Sequence, residues 1–218
     1  MRSVASIELS CTEPLPDSVR QSAEPILLRG YVAHWPAVIQ CRDLSSTQDY
    51  LRSFWNDAPL TVYVGDESID GRFFYNSAAD GFNFLSGKAT LAQVFDRLAD
   101  NKRDPSFHTI YVGSTPVDEW LPGFRQVNDI NLQRPDALVS FWLGSPTTVS
   151  AHFDFPDNIA CVVAGRRTFT LFPPEQLENL YVGPIDRTPS GQAISLVDHR
   201  NPDFNRHPKY AQALEHAI

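Results

Sequence analysis

Ser150 to Gln176 read SAHFDFPDNIACVVAGRRTFTLFPPEQ. His152 stands two residues before Asp154, Asn158 four residues after that aspartate, and Arg167 two residues past Gly165. Side chains of a strand alternate between two faces, so residues i and i+2 share one. On an extended chain His152 and Asp154 project together, while Phe153 and Phe155 face the other way. An imidazole nitrogen and a carboxylate oxygen are two of the three donors of the facial triad that leaves positions open on Fe(II). Bare His-x-Asp spacing arises often by chance, and its plain reading is a solvated surface strand. The flanking residues add weight. Asn158 keeps the parity of His152 and has an amide to donate to a carboxylate near a metal; otherwise it only ends the turn after Pro156. Arg167 offers a guanidinium for bidentate pairing with a carboxylate, against the alternative of a solvent-facing hairpin arginine, which is the better reading for Arg166. Tyr111, in TIYVGS, either gives its phenol to the same acid or packs as a core aromatic.

Outward from this stretch the pattern stays β-rich. FHTIYVGS, ALVSFWLGS, VSAHFDF, NIACVVAG and RTFTLFPP are short runs separated by Gly, Pro, Asp or Asn. Their close spacing predicts an antiparallel sandwich or barrel. Upstream, EPILLRGYVAHWPAVIQ predicts a short strand and a Trp-Pro turn, and LTVYVGD another strand. STQDYLRSFW carries Tyr50, Leu51, Phe54 and Trp55 at helical spacing. Thr90 is placed to cap LAQVFDRLAD, whose Leu91, Val94, Phe95 and Leu98 form one apolar stripe. FFYNSAADGFNF and EWLPGF are aromatic-rich and read as core before substrate groove. Residues 1–23 read as a loose polar lead-in and 24–218 as one domain.

Composition narrows the function classes. The 218 residues carry a formal net charge of −8 with no Lys/Arg cluster, which disfavours nucleic acid held on a basic face. No apolar run approaches membrane-spanning length, and the first residues lack the apolar core of a secretory signal. The three cysteines are scattered and odd in number, as expected of a cytoplasmic chain without a disulfide framework.

The run HFDFPDNIACVVAGRRTFTLFPPEQLENLY resembles the cupin-like JmjC hydroxylases, Fe(II)- and 2-oxoglutarate-dependent dioxygenases that include the asparaginyl hydroxylase inhibiting hypoxia-inducible factor. EPILLRGYVAHWPAV is similar to the family's opening segment, and FFYNSAADGFNF, IYVGSTP and NPDFNRHPKY follow in the family's order. The resemblance spans Glu24 to Ile218. It implies a double-stranded β-helix, or jelly roll, mainly β with helices packed outside. It implies His152 and Asp154 as iron ligands, with Tyr111, Thr148, Asn158 and Arg167 at or near the 2-oxoglutarate. Arg167 stands where the family usually has a Lys. Val149 stands where the family has a Thr, with Thr147 and Thr148 just upstream.

The family's distal His has no match here. His199, His207 and His216 lie outside its context. The expectation is therefore a C-terminally incomplete domain that lacks its last strands, read from a longer protein. In its complete form the chain is expected to be a dioxygenase using a small-molecule cosubstrate on a peptide, protein or small-molecule substrate, with a homodimer left open. The alternatives are a non-catalytic cupin-like binding module or an inactive truncated relative. A zinc or manganese isomerase on the same barrel would need more His ligands than are visible.

Overall fold

The computed structural model describes residues 4–10, 13–104, 108–130, 132, 134, 136–189 and 191–218. Ala5–Glu8 (β1) pairs in parallel with Ile26–Arg29 (β2), Ala5 opposite Ile26. The lead-in thus supplies a strand where composition alone predicts loose chain. Asp17–Arg20 (α1) lies between the two. The Trp-Pro turn opens Pro36–Gln40 (α2), with Pro36 in the first turn, where its fixed φ suits the helix and no N–H is needed. Leu44–Arg52 (α3) is capped by Asp43, whose carboxylate accepts from the Ser46 N–H at 2.8 Å.

The larger sheet is built from Leu60–Gly65 (β3), Leu85–Ala89 (β4), Thr109–Pro116 (β5) and Ser140–Gly144 (β6), in the order β4-β3-β5-β6. Every pairing in it is antiparallel. Between β4 and β5 runs Leu91–Arg103 (α4), closed by the capping box that Thr90 begins. Thr90 Oγ1 accepts from the Gln93 N–H at 3.2 Å, and the Thr90 N–H donates to Gln93 Oε1 at 2.9 Å. The stripe Leu91, Val94, Phe95 and Leu98 packs on Leu60, Val62, Ile110 and Val112 to form one core. Strand alternation then points Tyr63 and Tyr111 away from α4, and they lie opposite one another in the ladder.

Val117–Trp120 (α5) and Phe124–Val127 (α6) follow β5. Leu121 and Phe124 are buried with Ala37, Cys41, Tyr50 and Val117, so EWLPGF is core as its composition suggested. Asn128 ties this region together, its Oδ1 accepting from the Ala37 N–H at 2.9 Å and its Nδ2 donating to Tyr50 Oη at 2.9 Å. Near the end of the chain, Tyr210–His216 (α7) packs its Tyr210 and Ala213 against Val197.

One expectation needs correction. VSAHFDF, NIACVVAG and RTFTLFPP form no ladder among the described residues. Single rungs mark their course: the Ser195 N–H donates to the Ala151 carbonyl at 2.7 Å, and Leu171 and Ile218 exchange two bonds at 2.9 and 3.0 Å. The residues have β propensity, but a strand also needs a neighbouring chain for its N–H and C=O groups. The architecture is an antiparallel four-stranded sheet with flanking helices, and the runs after Ser150 are held by isolated rungs. No helix among the described residues is long and apolar enough to cross a membrane.

Candidate functional site

His152 and Asp154 both face solvent. The His152 Nδ1 lies 2.9 Å from the Ser150 carbonyl oxygen. A carbonyl only accepts, so Nδ1 carries the proton and Nε2 presents its lone pair outward. Asp154 is held from two sides by neutral amides. Gln192 Nε2 donates to Oδ1 at 2.9 Å, and Asn158 Nδ2 approaches Oδ2 at 3.5 Å while donating to the Pro156 carbonyl at 3.0 Å. Amides orient the carboxylate without cancelling its charge. Phe153 and Phe155 lie edge to face and are 57 % and 91 % exposed.

The donor chemistry suits Fe(II), one imidazole nitrogen and one carboxylate oxygen. These are two of the three donors of a facial triad. Among the described residues no group of three His, Cys, Asp or Glu side chains gathers to hold a metal. Both ring nitrogens of His199 are engaged, Nδ1 with Tyr210 Oη at 2.8 Å and Nε2 with Thr170 Oγ1 at 3.2 Å. His207 is buried, and His216 lies exposed at the end of α7.

A second grouping forms on the face of the sheet turned away from α4. Tyr111 projects from β5 with its ring centroid 6.5 Å from Tyr63 and 5.8 Å from Phe73. Phe84 packs edge-on to Tyr63 and Phe73. The Arg167 guanidinium lies near enough to the Tyr111 phenol for its charge to act on it. It also sits 5.1 Å from the Phe169 ring centroid and 6.0 Å from that of Trp142. Burial pushes the Tyr111 phenol above its ordinary range, and the Arg167 charge pulls against that shift. The result is an aromatic wall ending in a fixed positive charge and a neutral phenol. A carboxylate is the ligand that suits such an end.

The residues singled out in the sequence thus fall into three places. His152, Asp154 and Asn158 lie along one segment, and Arg167 lies near enough to Tyr111 to act on its phenol. Thr148 is anchored elsewhere, its N–H donating to the Gly71 carbonyl at 2.9 Å. Two features escape sequence reasoning. Gln192 reaches Asp154 from a loop far along the chain, and Tyr63 is brought beside Tyr111 only through strand pairing, where it meets Phe73 and Phe84 of the aromatic run FFYNSAADGFNF. Of the thiols, Cys161 is pushed up to about 11 by burial and is a poor nucleophile at neutral pH.

The family model described as "Cupin-like domain" matches residues 13–218. The human bifunctional peptidase and (3S)-lysyl hydroxylase JMJD7 is 26 % identical over 220 residues, covering 87 % of this chain and 65 % of that protein. The lysine-specific demethylase JMJ31 of Arabidopsis thaliana is 32 % identical over 221 residues, covering 88 % of this chain and 39 % of that protein. The JmjC domain-containing protein D of Dictyostelium discoideum is 27 % identical over 204 residues, covering 85 % and 42 %. The chain therefore spans from 39 % to 65 % of the length of these relatives.

Proposed function

This chain belongs to the cupin-like domain family, in its JmjC branch, and on that premise we propose that it is the iron- and 2-oxoglutarate-binding part of an oxygenase acting on a peptide or protein side chain. The observation that carries this reading is the Arg167 guanidinium, seated beside Phe169 and Trp142 with its charge acting on Tyr111, at the end of an aromatic wall. The far carboxylate of 2-oxoglutarate would lie on the Arg167 guanidinium, with the neutral Tyr111 phenol donating to the same group. The rings of Tyr63 and Phe73 would keep water from the methylenes of the acid. His152 Nε2 and Asp154 would hold the iron, with Gln192 fixing the carboxylate from behind and Asn158 lying beside it. Bound iron and keto acid together supply the activation of dioxygen. The arginine in place of the family's usual lysine keeps the charge and adds a planar fork.

Relatives named as a lysyl hydroxylase and as a lysine-specific demethylase support a protein side chain as substrate. The free thiols of Cys41 and Cys161 support a reducing, cytoplasmic setting.

The test is succinate release from 2-oxoglutarate by the whole protein with Fe(II), across a panel of lysine- and asparagine-containing peptides. Turnover that disappears in His152→Ala is the expected result. No turnover above that variant for any peptide would remove the oxygenase reading. A second reading, a non-catalytic carboxylate-binding module, draws on the two-donor set around His152. It predicts 2-oxoglutarate binding that is unchanged by added metal and by Asp154→Ala.

A further inference from the structure

Arg72 stands apart from both groupings. Its side chain is only 15 % exposed. The guanidinium stacks on the Phe74 ring, 3.6 Å from the centroid. The nearest carboxylate oxygen, Asp198 Oδ2, lies 3.9 Å from Nη1, beyond hydrogen-bond length. Nη2 is buried and has no partner among the described residues. An arginine keeps its charge and carries five N–H donors. A largely buried guanidinium without a bonded acceptor is an unmet demand, and native structures seldom leave one.

The side chain lines a cleft of about 520 Å³ whose walls include Ser68, Asp70, Asn83, Asp198 and Arg200. Two guanidiniums thus face one space. Several other polar groups in it are already engaged. Asn83 accepts from the Phe74 N–H at 2.8 Å and donates to the Arg72 carbonyl at 2.9 Å. Ser68 Oγ donates to Asp66. Asp198 accepts from the Arg200 N–H at 3.0 Å. Arg200 Nη2 donates to the Asp70 carbonyl at 2.8 Å and lies 3.2 Å from the Asp70 carboxylate.

The backbone under Arg72 is fixed as well. Gly71 has φ +71°, and a Cβ there would come 2.7 Å from the Pro146 carbonyl oxygen, so only glycine fits. Its carbonyl accepts from Thr148, and the Asn83 amide holds the next carbonyl. A loose surface arginine has no need of such support. A guanidinium held flat, largely buried and with Nη2 unpartnered among the described residues is arranged in advance for a planar oxyanion.

We propose that this cleft is an anion site, separate from the Arg167–Tyr111 pair, in which Arg72 takes one carboxylate or phosphate group with help from Arg200. The inference does not depend on the oxygenase reading. It is tested by calorimetric titration of the whole protein with inorganic phosphate and, in a second arm, with acetate. Saturable binding of one or both is expected, and the tighter probe names the chemistry. Arg72→Gln is expected to weaken that binding tenfold or more. Arg200→Gln, at an exposed position that leaves the core alone, is expected to weaken it several-fold. Arg167→Met is expected to leave it within twofold. Absence of saturable binding by both probes overturns the proposal. Unchanged binding in both Arg72→Gln and Arg200→Gln, or loss in Arg167→Met equal to that in Arg72→Gln, overturns it too. Should Arg72→Gln lose its native circular dichroism, the Arg200→Gln result decides alone.

Discussion

Gln192 donates from Nε2 to Asp154 Oδ1 at 2.9 Å, joining a loop to a carboxylate 38 residues earlier in the chain. That bond fixes one oxygen and leaves the other, Oδ2, with only a 3.5 Å approach from Asn158. Outer partners of this kind set the orientation of a ligating carboxylate, and removing one typically costs about 10–100-fold in metal affinity. Gln192→Ala should therefore raise the Kd for Mn(II), a redox-quiet stand-in for Fe(II), by about tenfold. The thermal midpoint without metal should change little, because Gln192 is a half-buried polar loop residue outside the core clusters. Equal Mn(II) affinity in the two proteins, followed by electron paramagnetic resonance, would remove Gln192 from this role.

Arg167 and Tyr111 give a graded expectation for 2-oxoglutarate. A charge-assisted bond is worth about 1.5–3 kcal/mol, so Arg167→Met should weaken binding by about 10–100-fold. Arg167→Lys keeps the charge and should lose less. Tyr111→Phe removes one neutral donor and should cost about fivefold. Because burial raises the phenol above its usual range, Tyr111 stays a protonated donor to higher pH than an ordinary phenol. The ratio of Kd between wild type and Tyr111→Phe should then be the same at pH 7 and pH 9.5. A ratio that collapses by pH 9.5 would mean the phenol ionises early and the assignment of its shift is wrong.

The core offers a sharper contrast. Phe95 is 1 % exposed between α4 and the sheet, and Phe155 is 91 % exposed. Phe95→Ala should destabilise by about 3–5 kcal/mol, and Thr90→Ala, which breaks the capping box, by about 1 kcal/mol. Phe155→Ser should change stability by less than about 0.5 kcal/mol. Urea midpoints at constant slope measure all three. A Phe155→Ser loss as large as that of Phe95→Ala would mean that Phe155 is covered in solution.

The difference between these residues also explains what the sequence can and cannot disclose. Thr90 and the stripe Leu91, Val94, Phe95, Leu98 are legible because cap and period are local. His152, Asp154, Asn158 and Arg167 stand out as candidates because their chemistry lies within one short run. Gln192 is not, since nothing near it in sequence marks Asp154 as its partner. Arg72 is equally hidden, because its burial is made by Phe74, Asn83 and the distant Asp198. The runs after Ser150 show the opposite failure: their composition says strand, and only a neighbouring chain can make that true.

Hydrogen exchange should report the same division. Amides of β3 and β5, paired on both sides within the larger sheet, should be protected by several orders of magnitude. Amides from Phe153 to Thr170 should exchange close to the rate of free chain, since among the described residues the isolated rungs lie at its edges, on Ala151 and Leu171. Protection of Phe153 to Thr170 equal to that of β5 would show that these runs are paired in solution.

Alkaline stability should follow Tyr210. Burial pushes its phenol up to about 12, and the Asp198 charge adds to the shift. The unfolded value is about 10. A folded value above the unfolded one means that the contribution of this group is whole below pH 10 and falls as pH rises through 12, because the unfolded chain ionises first. Two units correspond to at most about 2.7 kcal/mol. The Tyr210 hydroxyl also bonds His199 Nδ1 at 2.8 Å, so Tyr210→Phe should cost about 1 kcal/mol at pH 7. Above pH 10 the wild-type advantage should shrink and then reverse, since the phenylalanine variant has no phenol there to ionise. Unfolding midpoints of the two proteins at pH 7, 10 and 11.5 measure this directly. A difference that stays constant across the three would show that Tyr210 titrates alike in the folded and unfolded chains.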